Sequence, residues 1–245
     1  MSETVGRRHR LGMLTPSSNT VLEPVTAAML AGLPEVSAHF ARFRVTEISL
    51  GRGALGQFET GPMLAAAELL ADAKVASICW NGTSAGWLGF ESDERLCAAI
   101  SERTGIAACS SVLALNEVFA RTGVERFALV TPYLPEVQQA IIASYAGAGL
   151  ECVAERHLLE RDNFAFSEYG EALIAKLCRE VATARPDAIT IFCTNLRGAR
   201  VVASLEEELR IPIYDTVATA VWKSLALAGV PPRLVRGWGR LFEVA

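Results

Sequence analysis

Short apolar segments rich in β-branched residues alternate with amphipathic segments of helical period along the whole chain. The apolar segments predict strands near 10–16, 37–45, 75–81, 106–110, 126–131, 150–156, 188–193 and 212–215. The amphipathic segments predict helices at 20–31, 62–73, 91–103, 112–122, 135–147, 168–184, 199–209 and 217–228. This alternation is typical of an α/β protein with mostly parallel sheets.

An internal repeat divides this pattern in two. The segment RLGMLTP at 10–16 recurs as RFALVTP at 126–132, and each copy precedes a predicted helix that ends at a Gly-Leu pair. We therefore predict two similar Rossmann-like domains related by a pseudo-two-fold axis, with the active site in the cleft between them. The first domain would comprise residues 1–115 plus 216–245, and the second residues 116–215. The repeat favours this arrangement over a closed barrel of eight strand-helix units.

The loops after the matched strands at 75–84 and 187–195 are the candidates for chemistry. The carboxyl ends of parallel strands and the N-termini of the following helices would line the cleft, where they suit an anionic ligand such as a carboxylate. The repeat aligns Gly82 with Cys193, Thr83 with Thr194 and Ser84 with Asn195. The cleft therefore has one thiol where exact symmetry would place two.

Composition narrows the function. The 245 residues are 51% hydrophobic and 20% charged, with 23 Lys plus Arg against 27 Asp plus Glu, which excludes a disordered chain. No basic cluster predicts a nucleic-acid partner, and no apolar run is long enough for a membrane helix. The N-terminal segment has no apolar signal core, so we expect a cytoplasmic protein whose six cysteines are thiols. Cysteine and histidine spacing predicts no zinc site.

A family resemblance rests on several loop motifs in a fixed order. These are Thr15-Pro-Ser-Ser-Asn-Thr20, Gly82-Thr-Ser84, Thr131-Pro-Tyr133, Asp162-Asn163, Cys193-Thr-Asn-Leu-Arg197 and Gly239-Arg-Leu-Phe242. Together they resemble the aspartate/glutamate racemase superfamily, in its maleate isomerase and arylmalonate decarboxylase branch. The resemblance implies an enzyme without a cofactor that acts on a small mono- or dicarboxylate. A homodimer is left open.

Gly82 decides between the members of that branch. Racemases and maleate isomerases carry a cysteine there, whereas arylmalonate decarboxylases resemble this chain, with Gly-Thr-Ser in the first half and one cysteine in the second. Glycine can be neither a second proton carrier nor a nucleophile. Cys79 cannot replace it, because three residues along a strand reverse the direction of a side chain. A Gly82→Cys variant is expected to gain racemisation by restoring the second base.

The resemblance and the residue chemistry together predict a decarboxylase of aryl- or alkenyl-substituted malonates. Cys193 would protonate the enediolate left when carbon dioxide departs, and Trp87, Leu88 and Phe90 would supply an apolar wall. The residues predicted to bind substrate or the oxyanion are Ser17, Asn19, Thr83, Ser84, Tyr133, Asn163, Thr194 and Asn195. The asparagines look more like the isomerase branch, so a maleate cis-trans isomerase or racemase-like isomerase is the alternative.

Each candidate also has a purely structural interpretation. Cys193 can be a small buried hydrophobic residue, and Tyr133 can cap a loop over the core. Asn163 can hold a turn, and Asn19 can cap the first helix without being barred from binding a ligand. Trp87 and Phe90 can belong to the core rather than to a pocket.

Three other functions remain as alternatives. Gly51–Gly56 matches a dinucleotide fingerprint, but it does not run directly into a helix and better suits a lid over the cleft. Gly82–Gly86 matches a hydrolase nucleophile elbow around Ser84, but only His157 follows it. A carboxylate-binding protein without turnover is the third alternative, since loss of the first cysteine can mark lost catalysis.

Overall fold

The computed structural model describes residues 8–244. The N-terminal segment, in which no signal core is predicted, lies outside the described residues except for its last residue. The strands are β1 (His9–Pro16), β2 (Val36–Phe43), β3 (Ser77–Trp80), β4 (Ala108–Ser110), β5 (Arg126–Thr131), β6 (Glu151–His157), β7 (Ala188–Ile191) and β8 (Ile213–Asp215). Each predicted strand is present, so the prediction of strand positions is confirmed.

Ten α-helices connect and cover these strands within the described residues. They are α1 (Leu22–Leu30), α2 (Arg52–Leu55), α3 (Thr60–Asp72), α4 (Ala85–Leu88), α5 (Phe90–Thr104), α6 (Ser111–Thr122), α7 (Pro135–Gly147), α8 (Glu171–Ala182), α9 (Val202–Leu209) and α10 (Thr216–Leu227). The short helices α2 and α4 are additions to the prediction. No helix in residues 8–244 is long and apolar enough to cross a membrane.

Local sequence explains where several helices begin and end. The Ser110 hydroxyl caps α6 by accepting from the amide of Leu113 at 3.1 Å. The Asp215 carboxylate caps α10 in the same way, accepting from the Val217 amide at 2.8 Å. Gly123 ends α6 with a φ of 67°, a left-handed conformation that favours glycine.

The strands form two four-stranded parallel sheets of the same topology, β2-β1-β3-β4 and β6-β5-β7-β8. Their registers also match, because Leu14 of β1 pairs with Trp80 of β3, whereas Val130 of β5 pairs with Ile191 of β7. The α/β fold with two similar parallel sheets is therefore confirmed, and the register supports the alignment of the loops after β3 and β7.

The last helix of each half crosses to the other half. Helix α10 follows β8 of the second sheet but packs on the first, where Ser77 donates to the Ser224 carbonyl at 3.1 Å. Helix α6 follows β4 of the first sheet, yet its Phe119 ring lies 5.7 Å from that of Phe127 and 6.0 Å from that of Tyr214, both in the second sheet. These contacts place α10 beside the first sheet, whereas the Arg240 amide near the end of the chain donates to Glu206 of α9 at 2.8 Å. The domain boundaries at 115 and 215 stay a prediction.

Candidate active site

A small cavity lies where the carboxyl ends of both sheets face each other. Its lining residues come from the ends of β1, β3, β5 and β7, from the loops after β2 and β6, from α4 and from a 3-10 helix at Gly56–Phe58. They are Pro16, Val45, Ile48, Phe58, Trp80, Gly82, Thr83, Trp87, Tyr133, Asn163, Cys193 and Thr194. Six of the ten predicted site residues meet here: Gly82, Thr83, Tyr133, Asn163, Cys193 and Thr194.

Two loops from opposite halves cover this cavity. The amide of Ile48 donates to the Arg161 carbonyl at 2.8 Å, and the amide of Asn163 donates to the Thr46 carbonyl at 3.0 Å. The covered cavity measures about 20 Å³, which is room for about one water molecule. The structure therefore describes a closed cleft, and a substrate can enter only when these loops or the cavity wall move.

Cys193 is buried at the end of the second half's central strand. Burial raises the pKa of its thiol to about 12, and the charge of Asp215 acts in the same direction. The Tyr133 hydroxyl and the backbone amides of Asn195 and Leu196 oppose this rise by interacting with the sulfur, the Asn195 amide from 3.4 Å. The thiol is therefore protonated near neutral pH, as a proton donor must be.

Tyr133 joins the two halves across the cavity. Its hydroxyl lies 2.6 Å from Thr83 Oγ1, and either group can donate. Burial raises the pKa of Tyr133 well above its usual value, so the phenol keeps its proton. Thr83, Tyr133 and the Cys193 thiol thus form a neutral row of donors, which suits an oxyanion that develops between them.

The rest of the cavity wall is mostly apolar and uncharged. The Trp87 ring packs edge-on against Tyr133 at 5.3 Å between centroids and against Phe58 at 5.9 Å. None of the twelve described lining residues is lysine or arginine. A carboxylate held here loses hydration and gains no cation in exchange, which destabilises the charged form.

The asparagines mainly hold the two halves together. Asn19 donates to the Thr194 carbonyl at 3.1 Å, and its Oδ1 accepts from the amide of Leu22 at 2.9 Å at the start of α1. Asn195 accepts from the amide of Thr20 at 3.0 Å. Asn163 lines the cavity, but its amide nitrogen donates to Ser18 Oγ at 2.8 Å. In this closed form each asparagine side chain has a protein partner.

Ser17, Ser84, Asn19 and Asn195 do not line the described cavity, so their contact with substrate stays a prediction. Ser17 donates weakly to the Val45 carbonyl at 3.4 Å and accepts from the Val45 amide at 3.2 Å, which fixes the covering loop. Of the apolar wall residues, Trp87 lines the cavity, whereas Leu88 and Ser84 line a larger neighbouring cavity. The Phe90 ring packs on Tyr145 instead, at 5.0 Å.

The geometry around the two competing motifs differs from what those motifs need. His157 does not line the cavity beside Ser84, and its Nδ1 lies 2.7 Å from the Glu155 carboxylate. The glycine-rich segment forms α2 and a short 3-10 helix at Gly56–Phe58, and neither begins at the end of a strand. This segment carries Phe58 to the cavity, as a lid would.

Sequence reasoning missed two of the lining aromatic residues, Trp80 and Phe58. Trp80 is the last residue of β3, and its sequence pattern indicates a core position. Its place two residues before Gly82 was the one available signal, because residues two apart on an extended strand share a face, but this says nothing of where the ring turns. Phe58 stands just after the glycine-rich segment, where a lid would carry an apolar contact.

The known proteins that this chain resembles are arylmalonate decarboxylases and maleate isomerases. A family model described as arylmalonate decarboxylase matches residues 23–242. The arylmalonate decarboxylase of Bordetella bronchiseptica is 27% identical, covering 69% of this chain and 71% of that protein. A maleate isomerase of Pseudomonas putida is 26% identical, covering 97% and 98%. A Nocardia farcinica maleate cis-trans isomerase, solved as a Cys-to-Ser mutant with a covalently bound succinylcysteine intermediate, has a TM-score of 0.87 at 24% identity, covering 96% and 98%.

Proposed function

The chain belongs to the arylmalonate decarboxylase family, and from this premise we propose that it is a decarboxylase of α-substituted malonates that uses no cofactor. One observation carries the proposal. The cavity brings a single protonated thiol, Cys193, opposite Gly82, where a second proton carrier or a nucleophile would stand. This arrangement suits a reaction that needs one proton delivered to one face of a planar intermediate.

The reaction requires two steps at the α-carbon. The bond between the α-carbon and one carboxylate breaks, carbon dioxide leaves, and the electron pair stays on an enediolate. Thr83 and Tyr133 donate to the enediolate oxygens. The Cys193 S–H then gives its proton to the α-carbon, which yields the monocarboxylic acid and a thiolate. Solvent reprotonates that thiolate when the cleft opens, and its raised pKa favours this return.

The uncharged wall supports the bond-breaking step. The carboxylate that leaves as neutral carbon dioxide loses an unfavourable charge in a cavity bordered by Trp87 and Ile48 and without a lysine or arginine among its described lining residues. A small dicarboxylate that must keep both charges fits this wall less well, because each carboxylate needs donors of its own.

The second candidate is a cis-trans isomerase of a small dicarboxylate. It is favoured by the curated relatives, since the Pseudomonas putida protein that aligns along nearly the whole chain is a maleate isomerase. A covalent route like that of the Nocardia farcinica enzyme needs a thiolate. At this site the nucleophile would have to be Cys193, whose raised pKa opposes it.

The deciding experiment is proton NMR in deuterated buffer with phenylmalonate, methylmalonate and maleate supplied together. We expect a monocarboxylic acid with one deuterium at its α-carbon. Cys193→Ala should remove this product. Cys152→Ala is the matched control, because Cys152 is a thiol of β6 outside the cavity, and it should leave turnover unchanged.

Other outcomes would overturn the proposal in distinguishable ways. Conversion of maleate to fumarate with both malonates untouched would establish the isomerase. Thermal stabilisation by the diacids without any product would establish a binding protein without turnover. Turnover by Cys193→Ala at the rate of the unmodified chain would remove the thiol from the mechanism.

A further inference from the structure

The Trp80 ring occupies the space that a side chain at position 82 would need. A Cβ built on Gly82 would lie less than 3.0 Å from Cζ2, Cη2 and Cε2 of Trp80, closer than real Cβ atoms approach any neighbour. The ring is fully buried, and Phe43 packs against it with 5.1 Å between centroids. The space above Gly82 is therefore filled, and the surrounding packing resists displacement of the ring.

The second half shows how the same position looks without this ring. The matched registers place Ile191 where the first half has Trp80, each two residues before the loop position that carries Cys193 or Gly82. Isoleucine is smaller than tryptophan, and Cys193 has room for its side chain. The two halves thus differ by a coupled pair of residues, tryptophan with glycine and isoleucine with cysteine.

Trp80 also separates two cavities. Trp80 and Phe58 border both the catalytic cavity of about 20 Å³ and a neighbouring cavity of about 340 Å³. The larger cavity is otherwise lined by apolar and polar side chains in similar number, with Met63, Leu88, Leu96 and Ala99 as the apolar ones. A smaller side chain at position 80 would let an aromatic or alkyl group on an α-carbon beside Cys193 extend toward this cavity.

The indole nitrogen of Trp80 gives an independent sign of a ligand. Its N–H is buried and has no hydrogen-bond partner in the described part of the chain. A buried donor without a partner is costly, so an acceptor that reaches it, either a water molecule or a ligand, is favoured. A substrate carboxylate beside Gly82 would accept from it.

We propose that Trp80 determines the specificity of this site. Its ring prevents a second proton carrier at position 82, and it forms the wall that limits how far the α-substituent of the substrate can extend toward the larger cavity. The role of Trp80 in selecting the α-substituent rests on the proposed decarboxylase function, whereas its steric role at position 82 does not. Gly82→Cys alone is then expected to fail as a route to racemisation, which revises the expectation drawn from the sequence.

The steric role of Trp80 is tested by thermal unfolding of Gly82→Cys, Trp80→Leu and the double variant. We expect Gly82→Cys to lower the melting temperature by about 5 °C, because overpacking a buried site is destabilising. In the Trp80→Leu background the same change should cost less than half as much, since the overlap is gone. Equal losses in both backgrounds would overturn the proposal, whatever reaction the protein catalyses.

The role of Trp80 in specificity is tested by comparing phenylmalonate with methylmalonate. Trp80→Leu should raise kcat/KM for phenylmalonate relative to kcat/KM for methylmalonate at least about tenfold, because opening the wall favours the larger substituent. Trp222→Leu is the matched control, a buried tryptophan outside both cavities, and should leave the ratio unchanged. An unchanged ratio in Trp80→Leu would overturn the role of Trp80 in specificity.

If neither malonate is turned over, the same comparison is made by binding. The ratio of dissociation constants, measured from thermal stabilisation, then takes the place of kcat/KM. A shift of that ratio in Trp80→Leu supports the role of Trp80 even where decarboxylation fails. No shift there, with the control also unchanged, refutes it.

Discussion

Asp93 makes the stability of this protein depend on pH in a direction opposite to most carboxylates. Its side chain lies on α5 and borders the larger cavity, and Oδ2 has no hydrogen-bond partner among residues 8–244. Burial raises the pKa of Asp93 from 3.8 to about 7, although a hydrogen bond from Ser110 opposes the rise. The folded protein therefore holds this proton over a pH range in which the unfolded chain has lost it.

The sign and the size follow from that difference in pKa. The contribution of Asp93 to the free energy of unfolding is greatest below about pH 4 and is lost as the pH rises through about 7. The two pKa values differ by an amount worth about 4 kcal/mol in total. About 3 kcal/mol of this falls between pH 5 and pH 8. Asp93→Asn cannot ionise, so it should lack this decline.

The assay is urea unfolding of the unmodified chain and of Asp93→Asn near pH 5 and pH 8. We expect the variant to gain about 3 kcal/mol relative to the unmodified chain between pH 5 and pH 8, whatever the absolute effect of the amide at either pH. Asp72→Asn, at the exposed end of α3, is the matched control and should show no such gain. An equal decline with pH in the unmodified chain and in Asp93→Asn would refute the reasoning.

Three further predictions concern the cavity and the contact between the halves. Because the pKa of Cys193 is raised to about 12, iodoacetamide near pH 8 should label it at least about 10³-fold more slowly than an ordinary thiol, and urea should abolish this protection; rapid labelling of the folded protein, seen by mass spectrometry, would contradict it. Tyr133→Phe removes the hydroxyl that lies 2.6 Å from Thr83, so kcat for the proposed reaction should fall about 10- to 100-fold with a smaller change in KM, and unchanged kcat would exclude Tyr133 as an oxyanion donor. Asn195→Ala removes the acceptor of the Thr20 amide and the donor to the Asn163 carbonyl, while the Val21 amide keeps Asn19 Oδ1 as its acceptor. It should lower the free energy of unfolding by about 2 kcal/mol, a result that an unshifted urea midpoint would disprove.

The sequence predicted the fold well because the deciding information is local and repeated. Alternating apolar strands and amphipathic helices located the strands of both sheets, and the repeat of 10–16 at 126–132 predicted two sheets of one topology. The residues that meet at the cavity follow from the same logic, since loops after equivalent parallel strands must share one edge. Cys193 and Gly82 lie opposite each other for that reason.

What the sequence did not predict depends on contacts between distant segments. No local pattern indicates that the Trp80 ring would fill the space above Gly82, because that depends on which way a large side chain turns in a finished core. Asn19 and Asn195 each have one partner in the opposite half, which the sequence does not indicate, and the same residue types would equally suit a ligand. The pairing of the loops at 46–48 and 161–163 joins segments that carry no strand pattern.

The crossing of α6 and α10 has a consequence for how the chain matures on the ribosome. The first sheet is complete once Ser110 has been made, but the helix that covers one side of it begins only at Thr216. Ser77 and Cys109 therefore gain their contacts with Ser224 of α10 only after the whole second half has been synthesised. Helix α6, which packs on the second sheet, is made before any strand of that sheet, so the second half has this helix at hand when β8 is complete. The first half cannot close its core until α10 leaves the exit tunnel, and its final packing step therefore comes last.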